Sequence, residues 1–179
     1  MKSKSTTYLY GTAIILAGLF LLVQTNNNFE TIKLTLATIL TVGAVFAFLS
    51  AYYRQKKQVQ YAYHEIHALV MLAYGLSVFF FCHKLETLVN FTAFLFIFYT
   101  FSEIIISFQV FYLGKKVAYK VVLIRVFLGL LVGVGTAIIL SSYYKNFMEI
   151  LTAFGLLFII IGTNVILYLP ILKIKETKA

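Results

Sequence analysis

Aspartate and tryptophan are absent from this chain of 179 residues, and cysteine and proline occur once each. With Cys82 alone, no intramolecular disulfide can form, and the thiol reads as a small apolar packing residue. No Asp is available for Mg²⁺, and no Gly-rich phosphate loop or G-x-S-x-G elbow occurs. The chain therefore lacks the usual motifs of phosphoryl transfer and covalent hydrolysis. It is read as non-enzymatic and without cofactors. Charge is scarce too, at 12% of residues, against 61% hydrophobic. A soluble fold of this size leaves too much surface uncovered to hide that apolar content.

What is present points to lipid as the solvent. Six apolar segments cover about 8–24, 31–52, 65–82, 87–112, 121–141 and 149–169. Each is near the ~20 residues a helix needs to cross the hydrocarbon core, rising ~1.5 Å per residue. Backbone groups in lipid must satisfy one another, so runs of this length are helices. Pro170 ends the last run. The basic start and apolar core of "MKSKSTTYLYGTAIILAGLFLLVQ" suit a signal peptide, but no A-x-A-like site follows, so a retained first helix is expected. The expected fold is all-α: a polytopic bundle of six transmembrane helices, a single membrane domain over 1–179, with hairpins at about 8–53, 64–113 and 120–170.

The net charge of +9 would suggest nucleic acid in a soluble protein. Here the basic residues sit in short clusters between apolar runs, so the partner is the bilayer and not nucleic acid. Lys2, Lys4, Arg54, Lys56, Lys57, Lys115, Lys116, Lys120, Arg125, Lys173, Lys175 and Lys178 fall on one side, and Lys33, Lys84 and Lys145 on the other. The positive-inside rule makes the first side cytoplasmic, with both termini there. Tyr8, Tyr10, Tyr52, Tyr53, Tyr61, Tyr63, Tyr112, Tyr119 and Tyr168 read as inner-interface anchors, and Tyr143 and Tyr144 as outer ones.

The three outer hairpins look alike. Glu30, Glu86 and Glu149 each open the second helix of a pair, and thirteen residues later come Gly43, Tyr99 and Gly162. A threefold repeat of helical hairpins is one reading of this spacing. Asn27-x-x-Glu30 and Asn146-x-x-Glu149 fit an Asn form of the capping box, with His83 at the equivalent place before Glu86. Lys33, Lys84 and Lys145 are placed to pair locally, where exposed pairs contribute little. The stretches "ETIKLTLATILTVGAVFAFLSA", "ETLVNFTAFLFIFYTFSEIIISF" and "EILTAFGLLFIIIGTNVILYL" resemble the HdeD-like family of small six-helix bacterial membrane proteins. The outer loops depart from that pattern in lacking Pro, and Tyr99 stands where Gly is expected. The resemblance implies an integral protein of the bacterial inner (cytoplasmic) membrane, related to stress or acid resistance, and brings no catalytic residues.

One carboxylate interrupts an otherwise apolar run. Glu103, in "FYTFSEIIIS", shares a helical face with Thr92, Tyr99 and Ser107, and Ser102 flanks that stripe. A charge facing lipid costs at least ~3 kcal/mol, so this face should turn inward. Arg125 in the next helix is the available partner. A turn centred on Gly114 puts the two at one depth; one centred on Val117 leaves a mismatch of ~9 Å for the arginine to cover. Three readings compete: a buried ion pair that fixes packing, a titrating Glu103 on a proton or ion path, and an Arg125 that snorkels to the surface. Beside them stand three functional readings: a non-enzymatic membrane protein, a small channel or transporter, and a membrane subunit that works only with a partner protein.

Three further features are candidates. His64 and His67 are one helical turn apart; ordinary interface residues are the plain reading, pH sensing the functional one, and no four-ligand metal set is visible. Gly129-x-x-x-Gly133, with Gly135 beyond it, suits close helix packing, within the bundle or in a homo-oligomer. Asn164, in the last apolar run, is expected to hydrogen-bond to a neighbouring helix.

Overall fold

The computed structural model describes residues 2–24, 28–55, 63–112, 119–141 and 147–167. They form six α-helices: α1 (Lys2–Val23), α2 (Phe29–Gln55), α3 (Tyr63–Phe81), α4 (Leu85–Tyr112), α5 (Tyr119–Ser141) and α6 (Phe147–Ile166). No strand occurs among the described residues. Five helices, all but α3, are long and apolar enough to cross a membrane. The apolar part of α3, Glu65–Phe81, is shorter. Large apolar side chains cover the outside: Phe94 is 71% exposed, Phe108 70% and Phe127 62%. That surface is what lipid, not water, would solvate.

Successive helices run antiparallel and close into a ring. Extensive contacts join α1 to α2, α2 to α3, α4 to α5 and α6 to α1. The α3–α4 and α5–α6 contacts are thinner, although each pair is consecutive in sequence. Glycine explains the closest approaches. A Cβ on Gly18 would lie 2.5 Å from the Gly155 carbonyl oxygen, and one on Gly162 would lie 2.6 Å from that of Gly11. Two glycines seven residues apart on each helix thus let the α1 and α6 backbones touch. Without a hydrophobic drive between helices in lipid, such contact is a main source of association. Since Gly11 faces Gly162, the start of α1 and the end of α6 lie at the same end of the bundle, here called the near end.

The interior is apolar where the helical stripes meet. Tyr10, Ile14, Ala17 and Leu21 follow steps of four, three and four and are all buried. Phe96 of α4 meets Phe154 and Phe158 of α6, with ring centroids 5.8 and 4.8 Å apart and near-perpendicular planes. Edge-to-face packing of this kind is favoured by the ring quadrupoles.

Three sequence expectations are corrected. The cap of α2 is Asn28, not Asn27: its Oδ1 accepts from the Thr31 backbone N–H and the Thr31 hydroxyl, both at 2.8 Å. The helix starts one residue later than the capping-box reading requires, so Thr31 holds the third helical position. Asn27 and Asn146 lie outside the described residues. Glu30 pairs with Lys33 at 2.7 Å, as local pairing requires, but that lysine is mostly buried, not exposed. Tyr10 is not an interface anchor; it is fully buried, whereas Tyr8, Tyr52 and Tyr119 are more than half exposed. Replacing Asn28 by Ala should lower stability by about 1 kcal/mol, because it frees the Thr31 N–H. Thermal unfolding in detergent measures it; no loss would mean the cap contributes nothing.

Candidate functional site: a buried polar network

The polar stripe of α4 faces inward throughout. Thr92, Tyr99, Ser102, Glu103 and Ser107 are all buried, because a helical period carries each of them to the ring interior. At the centre is an ion pair. Arg125 Nη2 donates to Glu103 Oε1 at 2.6 Å and to Oε2 at 2.8 Å, and Nε donates to Oε2 at 3.2 Å. The two side chains are 2% and 0% exposed. A fork of guanidinium donors matched to both carboxylate oxygens is the strong form of this interaction.

The register of the pair lies between the two sequence alternatives. Gly129, not Arg125, is level with Glu103: a Cβ on Gly129 would lie 3.1 Å from the Glu103 Cβ. Thr100 is likewise level with Gly133, whose Cβ would lie 2.9 Å from its methyl carbon. Arg125 is therefore one turn, ~6 Å, nearer the near end, and its length covers the offset. Glycine at 129 is what leaves room for the carboxylate stem. Gly129 and Gly133 thus pack within the bundle, and the Thr100 hydroxyl donates to the Gly129 carbonyl at 3.1 Å. Gly135 turns to another neighbour, with Leu157 of α6 2.8 Å from where its Cβ would be.

Asn164 bridges three helices. Its Nδ2 donates to the Tyr99 hydroxyl of α4 at 2.5 Å and to the Arg125 carbonyl of α5 at 3.1 Å. Its Oδ1 is buried and meets no hydrogen-bond partner among the described residues. Ser107 donates to the Glu103 carbonyl at 2.7 Å, a bond within α4.

His67 extends the network to α1 and corrects the sequence reading of a residue at the membrane interface. It is buried, with Nδ1 2.6 Å from the Tyr10 hydroxyl and Nε2 2.7 Å from the Ser102 hydroxyl. Ser102 gives its hydrogen to the Tyr99 carbonyl at 2.8 Å, so it accepts from Nε2–H. Nδ1 is then the acceptor for Tyr10. A proton added to Nδ1 would set two donors face to face unless Tyr10 turned its hydrogen away. The His64 side chain lies outside the described residues, so the histidine pair is represented by His67 alone. Among the described residues no three His, Cys, Asp or Glu side chains gather as a metal set.

Beyond this cluster, Thr7 of α1 meets Ser50 of α2 at 2.7 Å, and Tyr74 of α3 meets Thr92 of α4 at 2.8 Å. A cavity of about 20 Å³ adjoins the network, lined by Tyr10, His67, Met71, Leu95, Tyr99 and Phe158 among others. That is room for about one water, and neither Glu103 nor Arg125 lines it.

Sequence reasoning missed Tyr10 as a network member, and Ser50 and Tyr74 as buried partners in the contacts beyond it. A signal for Tyr10 existed, since its spacing to Ile14, Ala17 and Leu21 places it on the buried stripe. Tyr99→Phe removes an acceptor from Asn164 and should lower stability by about 1 kcal/mol, typical of interhelical hydrogen bonds in lipid. Unfolding in detergent against wild type tests this, and an unchanged midpoint refutes it. No family model, no curated protein and no solved structure matches the chain.

Proposed function

We propose that this is a non-enzymatic protein crossing the bacterial cytoplasmic membrane six times, akin to the HdeD-like group, in which Glu103–Arg125 serves packing and not transport. The observation that carries the reading is the pair itself: forked, buried and closed on both carboxylate oxygens. A carboxylate on an ion path would need to exchange with water or cation, and the cavity beside the network does not include it. Two observations support six crossings with both termini cytoplasmic. Twelve of the fifteen basic residues fall on one side in that topology, and the start of α1 shares an end with the finish of α6. The apolar part of α3, seventeen residues, spans ~26 Å, a small mismatch that bilayer thinning absorbs. A link to acid or other stress follows from the family resemblance alone.

The test is proton and cation flux in proteoliposomes, beside thermal stability. The wild type should conduct no more than protein-free vesicles, and Glu103→Gln should unfold at lower temperature. A wild-type flux that Glu103→Gln abolishes while folding stays intact would overturn the reading in favour of a channel or transporter.

A further inference from the structure

The contacts around the ring are unequal, and the inequality divides it. The helices α6, α1, α2 and α3 follow one another through the extensive contacts, and α4–α5 forms a second closely packed set. The two sets meet at the thinner α3–α4 and α5–α6 seams. The pair α4–α5 is tied internally by Glu103–Arg125 and by Thr100 on the Gly129 carbonyl. We propose that α4 and α5 move as one rigid unit against the other four helices, hinged at the far end and latched at the near end by the hydrogen bonds of His67 and Asn164.

The connections fix where such a hinge must be. The chain enters the unit between α3 and α4 and leaves it between α5 and α6. The helix ends flanking these connections, the finish of α3 and α5 and the start of α4 and α6, lie at the far end, because α1 starts and α6 finishes at the near end and the helices alternate. The α3–α4 joint is only three residues, Cys82, His83 and Lys84, so the far end is tethered closely. At the near end the two sets are held by His67 to Ser102, and by Asn164 to Tyr99 and to the Arg125 carbonyl. These bonds are neutral, and interhelical hydrogen bonds of that kind contribute modestly in lipid, whereas opening α4 from α5 would separate a buried ion pair. The cavity lies on the same boundary, with Leu95, Phe98 and Tyr99 from the moving unit and Tyr10, His67 and Phe158 from the other. A void on a dividing surface leaves side chains there with fewer partners to lose on opening.

Spin-label distances in lipid nanodiscs test this, in a Cys82→Ser background with label pairs on exposed positions. Leu9 with Phe127 spans the two sets towards the near end, Val23 with Leu140 spans them at the far end, and Leu9 with Leu69 stays within the four-helix set. The expected result is a broad or two-component distribution for Leu9–Phe127 and narrow ones for both controls. Asn164→Leu and, separately, Ser102→Ala should shift the first distribution towards longer distance and leave the controls unchanged. A Leu9–Phe127 distribution as narrow as the controls and unmoved by either substitution would overturn the proposal. So would broadening of all three pairs alike, which would mean general loosening and no hinge.

Discussion

Removing either partner of the Glu103–Arg125 pair should lower stability by about 3–5 kcal/mol, while removing both should not. Arg125→Met leaves the Glu103 carboxylate fully enclosed and without its forked donor; Glu103→Leu leaves the guanidinium in the same position. Each strands a charge where water cannot reach it, and that stranded charge, more than the lost attraction, makes the single changes severe. The double replacement Glu103→Leu with Arg125→Met fills similar volume with apolar atoms. It should be close to neutral, or more stable by up to about 4 kcal/mol. Unfolding of all four proteins in one detergent completes the cycle. Additive losses in the double variant would show that the residues act separately and that the fork contributes nothing as a pair.

The second large effect is expected at the α1–α6 seam. Gly18→Ala introduces a Cβ that must lie 2.5 Å from the Gly155 carbonyl oxygen and 2.8 Å from an Ile159 side-chain carbon. The obstacle is backbone on a packed helix, which cannot turn aside as a side chain can. The helices must separate, and about 3 kcal/mol of stability should be lost, the upper part of the range for overpacking. Gly135→Ala is the matched control. Its new Cβ would also meet an atom at 2.8 Å, but that atom is the Leu157 methyl carbon Cδ2, which can rotate away. About 1 kcal/mol or less is expected there. Equal losses at the two glycines would mean that the identity of the obstructing atom is irrelevant, contrary to the packing account.

The two experiments probe features that differed in how legible they were. The helices were readable because hydrocarbon sets their length, and each apolar run lies within a helix or overlaps nearly all of one. The exception is the start of α1, which begins at Lys2, well before the apolar run at about residue 8. Hydropathy marks where lipid begins, not where backbone hydrogen bonding begins. Glu103 was legible for the opposite reason, as a charge too costly to face lipid, and its face followed from spacing alone. Its register against Arg125 was not, since register depends on how glycine lets α4 and α5 approach.

The seam between α1 and α6 was the largest omission. Gly11, Gly18, Gly155 and Gly162 are ordinary constituents of apolar helices, and nothing local says that they will meet across the whole length of the chain. His67 misled in another way. Its neighbours in sequence are those of a membrane-surface residue, but Tyr10 and Ser102, which decide its environment, are 57 and 35 positions away. In both cases the deciding information is long-range pairing, which periodicity does not carry.

The glycine seam also bears on how the protein is made. Of the six helices, the ribosome releases α1 first and α6 last, yet these two share the closest backbone contact. Until α6 arrives, the groove along Gly11 and Gly18 faces lipid or borrows another neighbour. Insertion therefore proceeds with an unfinished surface on its earliest helix, and a chain arrested before α6 would present that surface to whatever quality-control machinery patrols the bilayer.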